Sequence, residues 1–128
     1  MLLGTSALIV EEEFLIALEV QRVLKSAGAD DAQIARNVED ARECLLERQY
    51  RLAVVAIGPC ESEALPFCRE LQRKAIAVVV SSADVRHRKG IPGLDGVEVI
   101  VKPFADDQLL AACMAALLGS TRPSDSVR

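Results

Sequence analysis

Three apolar runs in this chain end in residues that could do chemistry, and a fourth ends in none. Ala7-Leu8-Ile9-Val10 is followed by Glu11, Glu12 and Glu13. Ile76-Ala77-Val78-Val79-Val80 leads to Ser82, and Val97 to Val101 leads to Lys102-Pro103. Carboxylates, a hydroxyl and an ammonium group are the means by which a small site holds cations and anions. Between them, Leu52-Ala53-Val54-Val55-Ala56-Ile57 passes into Gly58-Pro59 with no ionisable side chain. Ala56 has no nucleophile, no metal-binding oxygen and no proton to exchange. Taken singly, each polar group has a plain structural explanation. A Glu pair after a strand is usually solvated, Lys-Pro is often only a turn, and a terminal Ser often caps a helix. Their common order and spacing is what points to a site.

The elements that must position these groups follow from hydrophobic periodicity. Ala7 to Val10 is continuously apolar, as a strand covered on both faces is. From Phe14 to Ala27, Leu15, Leu18, Val20, Val23 and Leu24 recur at helical spacing, and Gly28 ends the helix. A short strand is expected near Ala32 to Ala35. Asn37 then reads as an N-cap with Asp40 at its third position, opening a helix buried along Val38, Ala41, Cys44 and Leu45. Leu52 to Ile57 forms the third strand. The third helix carries Leu65, Cys68, Leu71 and Ala75, with Pro66 in its opening turn, where a missing N–H costs nothing. Ile76 to Val80 and Val97 to Val101 are the fourth and fifth strands. Asp84 to Gly96, rich in Gly, promises only one or two helical turns around Val85 to Lys89. Asp106 to Leu118 forms the last helix, with Leu109, Leu110, Cys113, Ala116 and Leu117 inward. Five strands alternating with helices imply an α/β, doubly wound, flavodoxin-like (βα)5 domain whose sites lie at the carboxyl ends of a parallel sheet.

Composition narrows the function. The 128 residues suffice for one core, and the net charge of −4 argues against a general affinity for nucleic acid. Met1 to Val10 is apolar but has no basic leader and is cut short by Glu11 to Glu13, which reads as neither signal peptide nor membrane span. A cytoplasmic location is the expectation. Cys44, Cys60, Cys68 and Cys113 form no C-x-x-C pair and have no His at zinc spacing, so reduced structural thiols are expected. Cys60, in a loop beside Ala56, is the one that could sense redox state. Arg86, His87, Arg88 and Lys89 form a basic run that reads as a solvated face, although an acidic protein partner would suit it. His87 is the only histidine, and a lone loop histidine usually does nothing.

The stretch Ala7-Leu8-Ile9-Val10-Glu11-Glu12-Glu13-Phe14-Leu15-Ile16, together with Val101-Lys102-Pro103-Phe104, resembles the receiver (CheY-like) domain of bacterial two-component response regulators. The resemblance covers residues 1–118, leaving 119–128 as a polar tail expected to be disordered. It implies a five-stranded sheet of order 2-1-3-4-5. It also matches Ala56 to the phosphoacceptor aspartate, Glu11 and Glu12 to the acidic residues that hold Mg²⁺, Ser82 to the hydroxyl on the fourth strand, and Lys102 to the lysine that bonds the phosphoryl group. Gly58 follows the acceptor position, and a cis Lys102-Pro103 bond is implied. The chain departs from the pattern in four places. Ala56 removes the acceptor, Glu12 replaces a shorter Asp, Val99 stands at the switch position usually filled by a bulkier residue, and the fourth helix is weak. With the acceptor carboxylate gone, Lys102 can approach the remaining acids, so a salt bridge to Glu11 or Glu12 is expected, with any Mg²⁺ site vestigial and no cofactor. The implied function is that of a stand-alone pseudo-receiver in phosphorelay signalling, not an enzyme. It would act by contact with a histidine kinase, a phosphotransfer protein, another response regulator or a second copy, through about Val97 to Leu118. The alternatives are a relocated acceptor (Asp84, Glu11 or Glu12) and a small-ligand or redox sensor using Cys60 or the emptied pocket.

Overall fold

A computed structural model describes residues 2–58 and 63–120. Strands β1 (Ser6–Val10), β2 (Asp31–Ala35), β3 (Leu52–Ile57), β4 (Ala77–Ser82) and β5 (Glu98–Val101) form one parallel sheet of order β2-β1-β3-β4-β5. Among the described residues there are four α-helices, α1 (Phe14–Ser26), α2 (Val38–Glu47), α3 (Ala64–Arg73) and α4 (Asp106–Ser120). This is the flavodoxin-like architecture that the alternation of elements implies.

Because successive strand residues point to opposite faces, the aliphatic strands feed two separate cores. Ala7, Ile9, Leu52, Val54 and Val79 pack under α1 and α4, with Val20, Leu24, Leu109 and Cys113. Leu8, Val55, Val78 and Val80 pack under α2 and α3, with Ala41, Phe67, Cys68 and Leu71. The Lys102-Pro103 peptide is cis.

Two stripes differ from the periodic reading. Leu15 is 80% exposed and Leu18 is also exposed, whereas Ala17, Val20, Val23 and Leu24 are the buried positions of α1. Leu15 precedes Ala17 by two residues, about 200° of helical rotation, so it points away from the sheet whenever Ala17 points toward it. In α3, Ala75 lies outside the helix, exposed and at a φ of 63°, where the chain turns into β4. Its place in the core is taken by Phe67, fully buried and among the largest side chains so enclosed. Pro66 sits in the first turn of α3, as expected. Asn37 caps α2 by accepting the Asp40 N–H at 2.8 Å, and the Asp40 carboxylate reaches back to the Arg36 N–H.

The fourth crossover contains a 3-10 turn (Val85–Lys89) in place of an α-helix, and no residue of that turn is buried. Ile91 and Leu94 close the core beneath it. Arg69 donates to the Gly93 carbonyl at 2.9 Å and Gln72 to that of Asp95 at 2.8 Å, tying the rest of the crossover to α3. Helix α4 continues through Ser120, past the expected end at Leu118. Residues 121–128, the remainder of the expected tail, and Cys60 lie outside the described residues.

The two revised stripes make a direct comparison. Phe67→Ala is expected to lower stability by about 3–5 kcal/mol, and Leu15→Ala to change it by less than about 0.5 kcal/mol, in urea unfolding. Comparable losses at both positions would contradict this packing.

Candidate functional site at the strand ends

The strand register brings the predicted polar residues to one edge. Val10 lies beside Val55, Ile57 beside Ser82, and Ser82 beside Val101. Glu11, Ala56, Gly58, Ser82 and Lys102 therefore all stand at the carboxyl ends of the strands. A cleft of about 320 Å³ opens there, lined by Glu11, Glu12, Ala56, Gly58 and Lys102, with Arg36 and Glu63 on its wall.

Within the cleft the charges are arranged unequally. Lys102 Nζ donates to Glu11 Oε1 at 3.0 Å, and the backbone N–H of Glu13 donates to Glu11 Oε2 at 3.1 Å. The side chain of Glu11 is 6% exposed and that of Lys102 is 20% exposed. A carboxylate so enclosed needs its partners, because an unpaired buried charge is strongly destabilising. Glu12 is exposed at the rim. Of the two acids that Lys102 was expected to reach, it takes Glu11.

These donors do not fit a divalent cation. Mg²⁺ binds through several hard oxygens in near-octahedral geometry. Here the one buried carboxylate, Glu11, is occupied by an ammonium group, the exposed Glu12, Glu13 and Glu63 line the cleft without converging, and β3 contributes a methyl group. Among the described residues no cluster of three or more acidic, His or Cys side chains could hold a metal ion.

Ser82 meets this arrangement through its backbone, its carbonyl accepting the Lys102 N–H at 2.8 Å, and turns its side chain elsewhere. It is 1% exposed and lines a different hollow, with Ile57, Gly58, Asp84 and His87. Its hydroxyl lies 2.7 Å from His87 Nδ1 and accepts the Asp84 N–H at 3.0 Å. The residue directly beside Ala56 in the sheet is Ser81, also buried. Sequence reading missed Ser81 because nothing in it distinguishes two adjacent serines without the register. It also set aside His87, which is half-buried and bonded to Ser82. Val99 sits half-buried on β5 beside Val80, against the α2–α3 core.

Three cysteines and Asp84 are set by their surroundings. Burial pushes the Cys68 and Cys113 thiols up to about 12, which leaves them unreactive. Burial and neighbouring acids also raise Cys44. Asp84 accepts both the guanidinium and the backbone N–H of Arg86, which hold its carboxyl down at about 2.

Compared by sequence, the chain matches no family model and no curated protein. Comparison of structures gives a consistent answer. A response regulator receiver domain (CheY-like) from Methylobacillus flagellatus superimposes with a TM-score of 0.70 at 18% identity, over 88% of this chain and 98% of that one. The fold is that of a receiver domain. An orphan response regulator of H. pylori aligns at 25% identity with a TM-score of 0.69, covering 89% of this chain and 97% of the other. NtrX from Brucella abortus aligns at 22% identity with a TM-score of 0.75 over 98% of this chain, which spans only 29% of NtrX.

Two outcomes test the receiver edge as described. Lys102→Met should destabilise the protein by about 1–3 kcal/mol, less than a fully buried pair would because the lysine end meets solvent, while Lys102→Met with Glu11→Gln should recover part of that loss in a urea double-mutant cycle. The Asp84 carboxyl should titrate near pH 2 by NMR, and Arg86→Ala should return it toward 3.8. Since the folded pKa is depressed, whatever stability this contact contributes is present above the unfolded pKa and is lost as pH falls through about 2.

Proposed function

We propose that this receiver-fold domain is a pseudo-receiver of two-component signalling that works by protein contact and not by accepting a phosphoryl group. The observation that carries this reading is the methyl group of Ala56 in a cleft whose lysine is already bonded to Glu11. Phosphoryl transfer needs a nucleophile placed in line with its donor and positive charge free to stabilise the transferring group. Position 56 lacks the first, and the Lys102–Glu11 bond engages the second.

Two of the three alternative acceptors are already engaged. Glu11 is enclosed and doubly bonded, and Asp84 is chelated by Arg86 on the fourth crossover, whereas Glu12 is exposed at the rim. The natural partners of such a domain are a histidine kinase, a phosphotransfer protein, another response regulator or a second copy. Helix α4 and strand β5 are the proposed contact face, where Met114 and Leu118 leave apolar surface exposed. Among the described residues no helix is long and apolar enough to cross a membrane, and a cytoplasmic place of action is part of the proposal.

Intact-mass analysis after incubation with acetyl phosphate and Mg²⁺ tests the reading. The natural chain is expected to gain no phosphoryl group, and Ala56→Asp is expected to gain one. A hydroxylamine-labile adduct on the natural chain would overturn the proposal and move the acceptor elsewhere.

A further inference from the structure

The fourth crossover poses a mechanical question. A segment that leaves β4 and returns to β5 normally fixes itself by burying one face of a helix. Here Val85–Lys89 is a single 3-10 turn with no buried residue, and Val85 is exposed. The later part of the crossover is anchored by Ile91, Leu94, Arg69 and Gln72. The first part has no apolar anchor of that kind.

What meets it is a buried hydroxyl. Ser82, the last residue of β4, is enclosed among the strands, and two groups of the crossover converge on its Oγ. The Asp84 N–H donates to it at 3.0 Å, and His87 Nδ1 lies 2.7 Å away. With one lone pair taken by Asp84, the hydroxyl proton is available to Nδ1, an arrangement that puts the imidazole proton on Nε2. The Asp84 side chain in turn caps the turn by accepting the Arg86 N–H at 2.9 Å. Ser82, Asp84 and His87 thus form one chain of hydrogen bonds from the interior of the sheet to the exposed turn.

We infer that the Ser82–His87 hydrogen bond is a latch that holds the 3-10 turn closed on the end of β4, and that it operates independently of the Glu11–Lys102 cleft. The independence concerns the side chains. The Lys102 N–H donates to the Ser82 carbonyl at 2.8 Å and Ile57 and Gly58 line both hollows, but the Ser82 hydroxyl meets Asp84 and His87 while the Lys102 ammonium group meets Glu11. His87 is therefore a positioning residue. It fixes the attitude of Arg86, Arg88 and Lys89, the basic run that the domain presents to its surroundings. Opening the latch frees that run without disturbing either core, because no residue of the turn belongs to one.

Hydrogen–deuterium exchange on the full chain, read for the backbone amides of 84–90 against those of β3, tests this. His87→Ala should speed exchange in 84–90 about fivefold, the loss of one typical hydrogen bond, and Ser82→Ala, which also removes the acceptor of the Asp84 N–H, by at least as much, with β3 unchanged. The double variant should be no faster than Ser82→Ala alone, since that change already removes the bond to His87. His87→Asn, which keeps a hydrogen-bonding atom at the δ position, should restore most of the protection. Lys102→Met, which breaks the cleft pair, should leave 84–90 as in the natural chain. Additive effects of the two alanine variants, or failure of His87→Asn to protect, would overturn the latch. Faster exchange of 84–90 in Lys102→Met would overturn its independence. None of these outcomes depends on whether the chain accepts a phosphoryl group, so the latch and the proposed function fail separately.

Discussion

A parallel sheet buried on both faces is the constraint from which the rest of this molecule follows. The strands cannot reverse through tight turns, so every connection must cross a face, and each face must be covered by what crosses it. That requirement places α1 and α4 over one side and α2 and α3 over the other. It also leaves the strand ends as the one region where backbone geometry concentrates side chains from distant parts of the chain. Glu11 and Lys102, 91 residues apart, meet there at 3.0 Å. The fourth crossover meets the same demand with less material. Ile91 and Leu94 supply the cover, and the 3-10 turn above them is left outside the core.

At that edge, the number of carboxylates decides what each can do. Several acids in a small cleft repel one another, and a cation relieves them. Position 56 is alanine, Glu11 is the one buried carboxylate among the described residues, and one ammonium group and one backbone N–H satisfy it. Such a pair contributes little net stability once the desolvation of both ions is counted. It joins the residue that follows β1 to the residue that follows β5. The polar side chains of the edge fall into two groups, Glu11 with Lys102 in one cleft and Ser82 with His87 in another.

Much of this was legible in the residues because the physical signals were local. The β-branched runs located β1, β3, β4 and β5, Asn37 with Asp40 marked the start of α2, and the glycines between Asp84 and Gly96 foretold a poor helix. The misplaced residues were those whose fate depends on rotation or on neighbours. Leu15 and Leu18 are as apolar as any core residue, yet Ala17 sets the buried direction of α1 and turns them outward. Ala75 continues the α3 spacing in sequence, but the helix has already ended at Arg73 so that the chain can enter β4. Phe67 drew no notice from its spacing and is among the largest enclosed side chains.

The sequence by itself determined the alternation of elements, the aliphatic two-faced core and the absence of a nucleophile at Ala56, because these are properties of residue type and short-range order. Only the tertiary structure decided that Lys102 pairs with Glu11 and not Glu12, that Ser81 rather than Ser82 stands beside Ala56, and that His87 reaches the Ser82 hydroxyl. Each of those depends on strand register and on the direction a side chain leaves the backbone. A shift of one residue in a strand reverses the face on which every side chain lies, and no property of the individual residues reports that choice.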